Sequence, residues 1–212
     1  MRVSPSDGEV FEMEFPVVVI GGGACGLTAA LTLRDEGIPA LILEQDVAPA
    51  GSTALSSGFI PAKARNLADP AIVELCCTRS GSTLEWLTDR HAIPFVLIEG
   101  ILYTGQRRAR MHAVPERTGA ALMARMLGAA EAAGVDILCC AEVRKLYADI
   151  DGGITGVGYT RPEGGEEKVG CRALVLACNG FGGSPEMVRR HIPEIAEAEY
   201  FGHAGNRSHA VH

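Results

Sequence analysis

The sequence predicts an α/β fold: a parallel sheet, crossover helices on its faces, and a three-stranded antiparallel meander. Three stretches carry that reading. "FPVVVIGGGACGLTAALTLRDEGIPALILEQ" (15–45) joins two apolar runs through a glycine cluster and a helical segment. "EVRKLYADIDGGITGVGYTRPEGGEEKV" (142–169) places β-rich runs around Asp-Gly-Gly and Glu-Gly-Gly turns. "RALVLA" (172–177) is a further apolar run that leads into more glycines.

In chain order, 1–14 reads as a polar N-terminal tail and 15–212 as one domain. Val17–Ile20 is β-branched without alternation, as expected of a strand buried on both faces. Ala24 to about Glu36 reads as helix, stopped by Gly37 and Pro39, and Ala40–Glu44 as a second buried strand. This β-turn-α-β unit needs a right-handed crossover and parallel strands. Residues 45–68, rich in Gly, Ser, Ala and Pro, read as a long functional loop. Helical spacing returns over about 70–90, a short strand over Phe95–Ile98, and an irregular basic stretch after it, so that about 60–115 reads as an insertion. Gly119–Gly134 is an alanine-rich helix and Asp136–Ala141 a strand. The meander, the strand Arg172–Ala177, a glycine turn and a helix from about Ser184 complete the order.

Composition narrows the function. The 212 residues are 47% hydrophobic, enough for a packed core. Lys+Arg number 19 against Asp+Glu 26, a net charge of −7. Nucleic acid and anionic membranes need concentrated positive charge, so neither is expected as a partner. No apolar stretch reaches the roughly 18–20 residues of a membrane span. The N-terminus lacks a secretory pattern, and seven cysteines without CxxC suit neither a disulfide frame nor zinc. A cytoplasmic location is the expectation.

Gly21, Gly23 and Gly26 form GxGxxG between a buried strand and a helix, the context that gives this pattern meaning. Gly21 permits the tight turn, Gly23 lets backbone approach a pyrophosphate, and Gly26 lets helix and strand pack closely. Ala24 and Cys25 open the helix, whose free N–H groups favour phosphate. Cys25 reads as a small residue facing the phosphates, with a redox thiol as the alternative. Glu44, 18 residues after Gly26 and followed by Gln45, ends the second strand. Its carboxylate suits two ribose hydroxyls and repels a 2′-phosphate, leaving FAD or NAD and excluding NADP. No Tyr-x-x-x-Lys of a short-chain dehydrogenase follows, since Arg107 stands four after Tyr103 and Asp151 four after Tyr147.

With "AGSTALSSGF" (50–59), the meander and "RALVLACNGFGGSPEM" (172–187), the chain resembles the FAD-binding half of the fumarate reductase/succinate dehydrogenase flavoprotein family. That family includes the 3-ketosteroid Δ1-dehydrogenases, and the resemblance covers about 15–205. It implies a Rossmann-like FAD-binding domain. It further implies that Gly51, Ser52 and Thr53 line the pyrophosphate and ribityl chain, and that Ser57, Gly58 and Phe59 approach the isoalloxazine. Val143 would hold adenine through main chain, and Ala177, Asn179 and Gly180 would close over the pyrophosphate. An ordinary solvated loop is the plainer alternative for the serines. The implied substrate is an unsaturated acid or a ketosteroid-like molecule.

Two departures qualify the resemblance. The covalent branch of the family carries histidine where Ser52 stands, so noncovalent FAD is expected. The family's Thr-Gly-Asp is replaced by Arg207-Ser208-His209 near the end of the chain. The capping domain and the second half of the flavin domain are then expected elsewhere: the chain reads as a gene fragment, one subunit of a split enzyme, or a degenerate remnant. His112, beside Arg110, reads as a carboxylate contact or as an ordinary surface histidine. No metal-ligand spacing occurs.

Overall fold

The computed structural model describes residues 1–61, 69–102 and 108–207. The expectations attached to Tyr103, Arg107, Ser208 and His209 lie outside the described residues.

Strand β1 (Arg2–Pro5) precedes β2 (Met13–Ile20), helix α1 (Ala24–Asp35) and β3 (Ala40–Leu43). A single helical turn, α2 (Gly51–Ala54), and β4 (Ile60–Pro61) follow, then α3 (Pro70–His91), β5 (Val96–Leu97) and β6 (Met111–Ala113). The chain continues through α4 (Gly119–Ala132), β7 (Asp136–Leu138), β8 (Glu142–Ala148), β9 (Ile154–Thr160), β10 (Glu166–Leu176) and α5 (Pro185–His191). Among the described residues the main sheet runs β1-β8-β9-β10-β2-β3-β7, and β4-β6-β5 form a small second sheet. The pairs β10–β2, β2–β3 and β3–β7 are parallel, while β8–β9 and β9–β10 are antiparallel. The expected α/β architecture is therefore the one present.

Alternation along β2 builds two cores. Val17 and Val19 join Leu27, Leu31, Ile42, Leu122 and Met126 on the helical face. Val18 and Ile20 join Leu41, Leu43, Leu146, Val157 and Tyr159 on the face covered by the meander. Val18, Val19, Leu27 and Leu31 are fully buried. Each such side chain contributes about 1.5–3 kcal/mol by leaving water. Burial on both faces is why β2 and β3 read as unbroken apolar runs.

Helix α3 is capped by Asp69, whose side chain accepts from Ala71 N, with Pro70 in the first turn. Its C-terminal half docks on the end of α1 through one carboxylate. Asp35 accepts from Trp86 Nε1 at 2.8 Å and lies 3.2 Å from His91 Nε2 and 3.4 Å from Arg90 Nε.

The differences from the sequence reading are local. The stretch read as a tail carries β1, which pairs parallel with β8. The long loop holds α2. The meander's last strand and "RALVLA" are one 11-residue strand, β10, antiparallel to β9 in its first half and parallel to β2 after it. The strand expected over Asp136–Ala141 stops at Leu138, because Cys140 turns left-handed (φ 54) and donates its N–H to Asp46 O at 2.9 Å. The basic stretch holds β6, too short to show alternation.

Candidate functional site

A cleft opens where β2 and β3 end, with β10 flanking β2 on the other side. This is the place where open α/β sheets hold ligands. Its walls come from the glycine turn, the end of β3, α2, Ala141–Val143 and the turn after β10. Backbone bonds knit these pieces: Gly21 N donates to Leu43 O and Ala177 N to Ile20 O, each at 2.9 Å.

The three glycines have different jobs. Gly21 sits at φ +104, and a Cβ on it would lie 2.6 Å from Ala177 O. A Cβ on Gly26 would fall 1.9 Å from Gly21 O, so only glycine lets α1 rest on the turn. Gly23 meets nothing closer than Thr53 Oγ1 at 4.0 Å and faces the open cleft. Gly23 is also the N-cap of α1 and gives it no side-chain cap. The helix start thus keeps donors for a ligand, supplemented by one contact from Ala24 N to Thr53 Oγ1 at 3.4 Å. A glycine cradle with uncapped donors fits the pyrophosphate of a dinucleotide.

Glu44 is 5% exposed, the one buried polar or charged residue among the described residues. Its Oε2 accepts from Gly22 N at 2.7 Å and its Oε1 from Asp46 N at 3.0 Å. Two backbone donors satisfy the burial cost, and each oxygen retains a lone pair for a ligand hydroxyl. Behind it, burial first and then the Glu44 charge push the Cys139 thiol up. Burial likewise raises Cys178, on the cleft wall. Both shifts favour the protonated thiol over the nucleophilic thiolate.

Of the residues singled out in the sequence, Gly21, Gly23, Ala24, Cys25, Glu44, Gln45, Gly51, Ser52, Thr53, Val143, Ala177 and Asn179 line this cleft. Gly26 lies beneath it. Asn179, left-handed at φ 66, donates from Nδ2 to Ser52 Oγ at 2.9 Å across the mouth. Gly58 and Phe59 instead line an adjoining apolar cavity with Leu84, Leu122 and Met126, which shares Ala24 and Thr53 with the cleft. Gly58 packs against the start of α4, where a Cβ would lie 2.8 Å from Thr118 O. Ser57 and Gly180 are exposed and line neither. His112 sits on β6 with Nδ1 3.2 Å from Arg110 O, outside the cleft lining.

Asp46, Cys178, His203 and Gly205 also line the cleft and were not anticipated. His203 Nε2 lies 3.0 Å from Asp46 Oδ2. These residues are far apart in sequence, and no local pattern announces the contact. Among the described residues no cluster suited to a metal ion occurs, and no helix is long and apolar enough to cross a membrane.

Comparison with known proteins agrees with this geometry. The sequence matches the FAD binding domain family over residues 16–66 and 61–210. It is 27% identical to vinyl phenol reductase of Lactiplantibacillus plantarum over 200 residues, which span 83% of this chain and 40% of that protein. It is 24% identical to urocanate reductase of Eggerthella lenta, over 92% of this chain and 36% of that protein. The fold superposes on 3-ketosteroid-Δ4-(5α)-dehydrogenase of Rhodococcus jostii with a TM-score of 0.84 at 23% identity, covering 97% of this chain and 54% of that one. A flavocytochrome c3 fumarate reductase in its open conformation gives 0.79 at 18% identity, over 94% and 39%. The chain thus spans about two fifths of the length of each of these two curated relatives. It belongs to the FAD binding domain family, and of the two dinucleotides that a ribose carboxylate permits, its cofactor is FAD.

Proposed function

We propose that this chain is the FAD-holding part of a fumarate reductase-like flavoprotein oxidoreductase, one that passes hydride between a substrate C–C bond and flavin N5. The observation that carries the reading is the cleft itself: a glycine cradle, uncapped helix donors and a buried carboxylate converge at the end of β2. FAD supplies the two-electron chemistry when bound.

The chain's own residues bind and orient. Glu44 accepts from the adenosine ribose while Gly22 N and Asp46 N fix its direction. The start of α1, over Gly23, donates to pyrophosphate oxygens. Ser52, Thr53 and Asn179 offer hydroxyl and amide groups along the linker. Phe59, Leu84, Leu122 and Met126 form an apolar cavity beside Thr53 that excludes water next to the flavin end. Ser52 offers no imidazole nitrogen for a covalent link, so FAD is held noncovalently. The substrate class we assign is a small conjugated unsaturated acid or a ketosteroid-like molecule. The name of urocanate reductase supports the acid, and that of vinyl phenol reductase supports only a conjugated C–C double bond. The seven cysteines are free thiols, which supports a reducing compartment, the cytoplasm.

A second reading is a non-catalytic dinucleotide-binding fragment or a subunit of a split flavoenzyme. The position of His112 favours it, since this candidate substrate contact does not line the cleft. Steady-state assay with FAD, a reduced artificial electron carrier and fumarate, urocanate or a 3-ketosteroid separates the two. Turnover on the order of 1 s⁻¹ or more establishes a self-sufficient enzyme. A yellow protein without turnover supports the non-catalytic reading.

A further inference from the structure

After α5 the chain returns to the cleft: residues 199–207 do not join the sheet, and His203 and Gly205 line the cleft. Polar contacts hold them there. Gly205 N donates to His203 Nδ1 at 3.1 Å. That bond leaves Nδ1 unprotonated and puts the imidazole proton on Nε2, which donates to Asp46 Oδ2 at 3.0 Å. The His203 carbonyl accepts from Asn206 N at 3.0 Å and from Tyr200 Oη at 3.2 Å. Gly183 N donates to Asn206 O at 2.8 Å, tying the segment to the glycine turn after β10. Gly205 is fitted to Gln45, since a Cβ there would fall 1.9 Å from Gln45 Nε2.

Asp46 is the joint between this segment and the cofactor site. Its carboxylate holds His203, its N–H holds Glu44 Oε1, and its carbonyl accepts from Cys140 N. The His203 N–H also fixes the direction of a second carboxylate, Asp46, which lines the same cleft as Glu44. Without it, the residue whose backbone N–H meets Glu44 Oε1 loses its side-chain anchor, and that donor is held less firmly.

From this geometry we infer that His203–Asn206 form a strap closing the adenosine end of the cleft, and that His203, acting through Asp46, is a positioning residue for the Glu44 carboxylate. The inference rests on the assignment of the cleft to FAD. A dinucleotide seated under the strap leaves only when the latch opens. The latch therefore sets the dissociation rate, and it acts on ligands that carry adenosine.

The test is stopped-flow release of FAD from the wild type, His203→Ala, Asp46→Ala and Asp46→Asn, paired with ADP-ribose and FMN affinities and with amide exchange of the apo proteins. His203→Ala and Asp46→Ala should each release FAD about tenfold faster, the loss of one charge-assisted hydrogen bond. Asp46→Asn keeps an acceptor for Nε2–H and should recover most of that rate. ADP-ribose affinity should fall with FAD affinity while FMN affinity stays unchanged. In the apo protein, exchange at the Asp46 and Gly205 amides should accelerate in His203→Ala. Unchanged FAD release together with unchanged apo exchange would overturn the strap. An equal loss for FMN would overturn its placement at the adenosine end. A wild type that binds neither FAD nor ADP-ribose would refute the cofactor assignment, and the apo exchange would still decide whether the latch exists.

Discussion

Asn179 Nδ2 donates to Ser52 Oγ at 2.9 Å, joining the turn after β10 to α2 across 127 positions of sequence. The bond ties the mouth of the cleft together from two directions. It also commits the hydroxyl that stands where the covalent branch of the family has an imidazole.

Bound FAD should therefore be released by acid. Precipitating the yellow protein with trichloroacetic acid should leave the flavin absorbance in the supernatant. Flavin retained in the pellet would show a covalent bond that Ser52 cannot make.

Gly26 and Gly23 should respond unequally to a methyl group. In Gly26→Ala the new Cβ lands 1.9 Å from Gly21 O, a collision with backbone. The fold should lose about 1–3 kcal/mol or more, read from the urea midpoint. Gly23→Ala has open space around it and should cost about 1 kcal/mol or less in the apo protein. Equal midpoints for the two variants would contradict the packing of α1 on the turn.

Docking of α3 should fail in acid. Burial pushes the Asp35 carboxyl up, but the hydrogen bonds from Trp86 and Arg90, with the nearby His91 and Arg90 charges, outweigh it and hold the group below its usual 3.8. A lowered folded pKa stabilises above the unfolded value and loses that contribution as pH falls through the folded one. Trp86 is the chain's one tryptophan, so its emission reports the contact directly. The wild-type emission should change as pH drops below about 4. Asp35→Asn should already differ at neutral pH and lack that step. Identical profiles would contradict the role of Asp35.

Cys25 is exposed on the cleft wall. Iodoacetamide should label it readily in the apo protein and slowly with FAD present, while Cys171 and Cys178 stay unlabelled in both. Burial raises the Cys171 thiol to about 11 and raises Cys178 too. Peptide mapping by mass spectrometry checks all three. Labelling of Cys25 at the same rate with and without FAD would place the pyrophosphate elsewhere.

Where local chemistry decides the structure, the sequence was sufficient. Gly21, Gly26 and Glu44 are dictated within one β-α-β unit, and β2 and β3 announce themselves by unbroken burial. Asp46 and His203 meet across the whole length of the domain, so neither periodicity nor spacing exposes the latch. Cys140 ends β7 early through a left-handed turn that no glycine marks. The continuity of β10 depends on two different neighbours, β9 and then β2, and a single strand's composition carries no trace of that exchange. Ser57 and Gly180, assigned by resemblance, are exposed and do not line the cleft that their neighbours line.

The central claim, that the glycine turn and Glu44 hold FAD, is tested most directly by fluorescence titration of FAD into wild type, Gly23→Val and Glu44→Ala, with circular dichroism confirming that each is folded. Gly23→Val should abolish binding, because a branched side chain fills the open space over the start of α1. Glu44→Ala should weaken binding by roughly 1.5–3 kcal/mol, the range for hydrogen bonds to a charged group. Wild-type affinity in both folded variants would contradict the account.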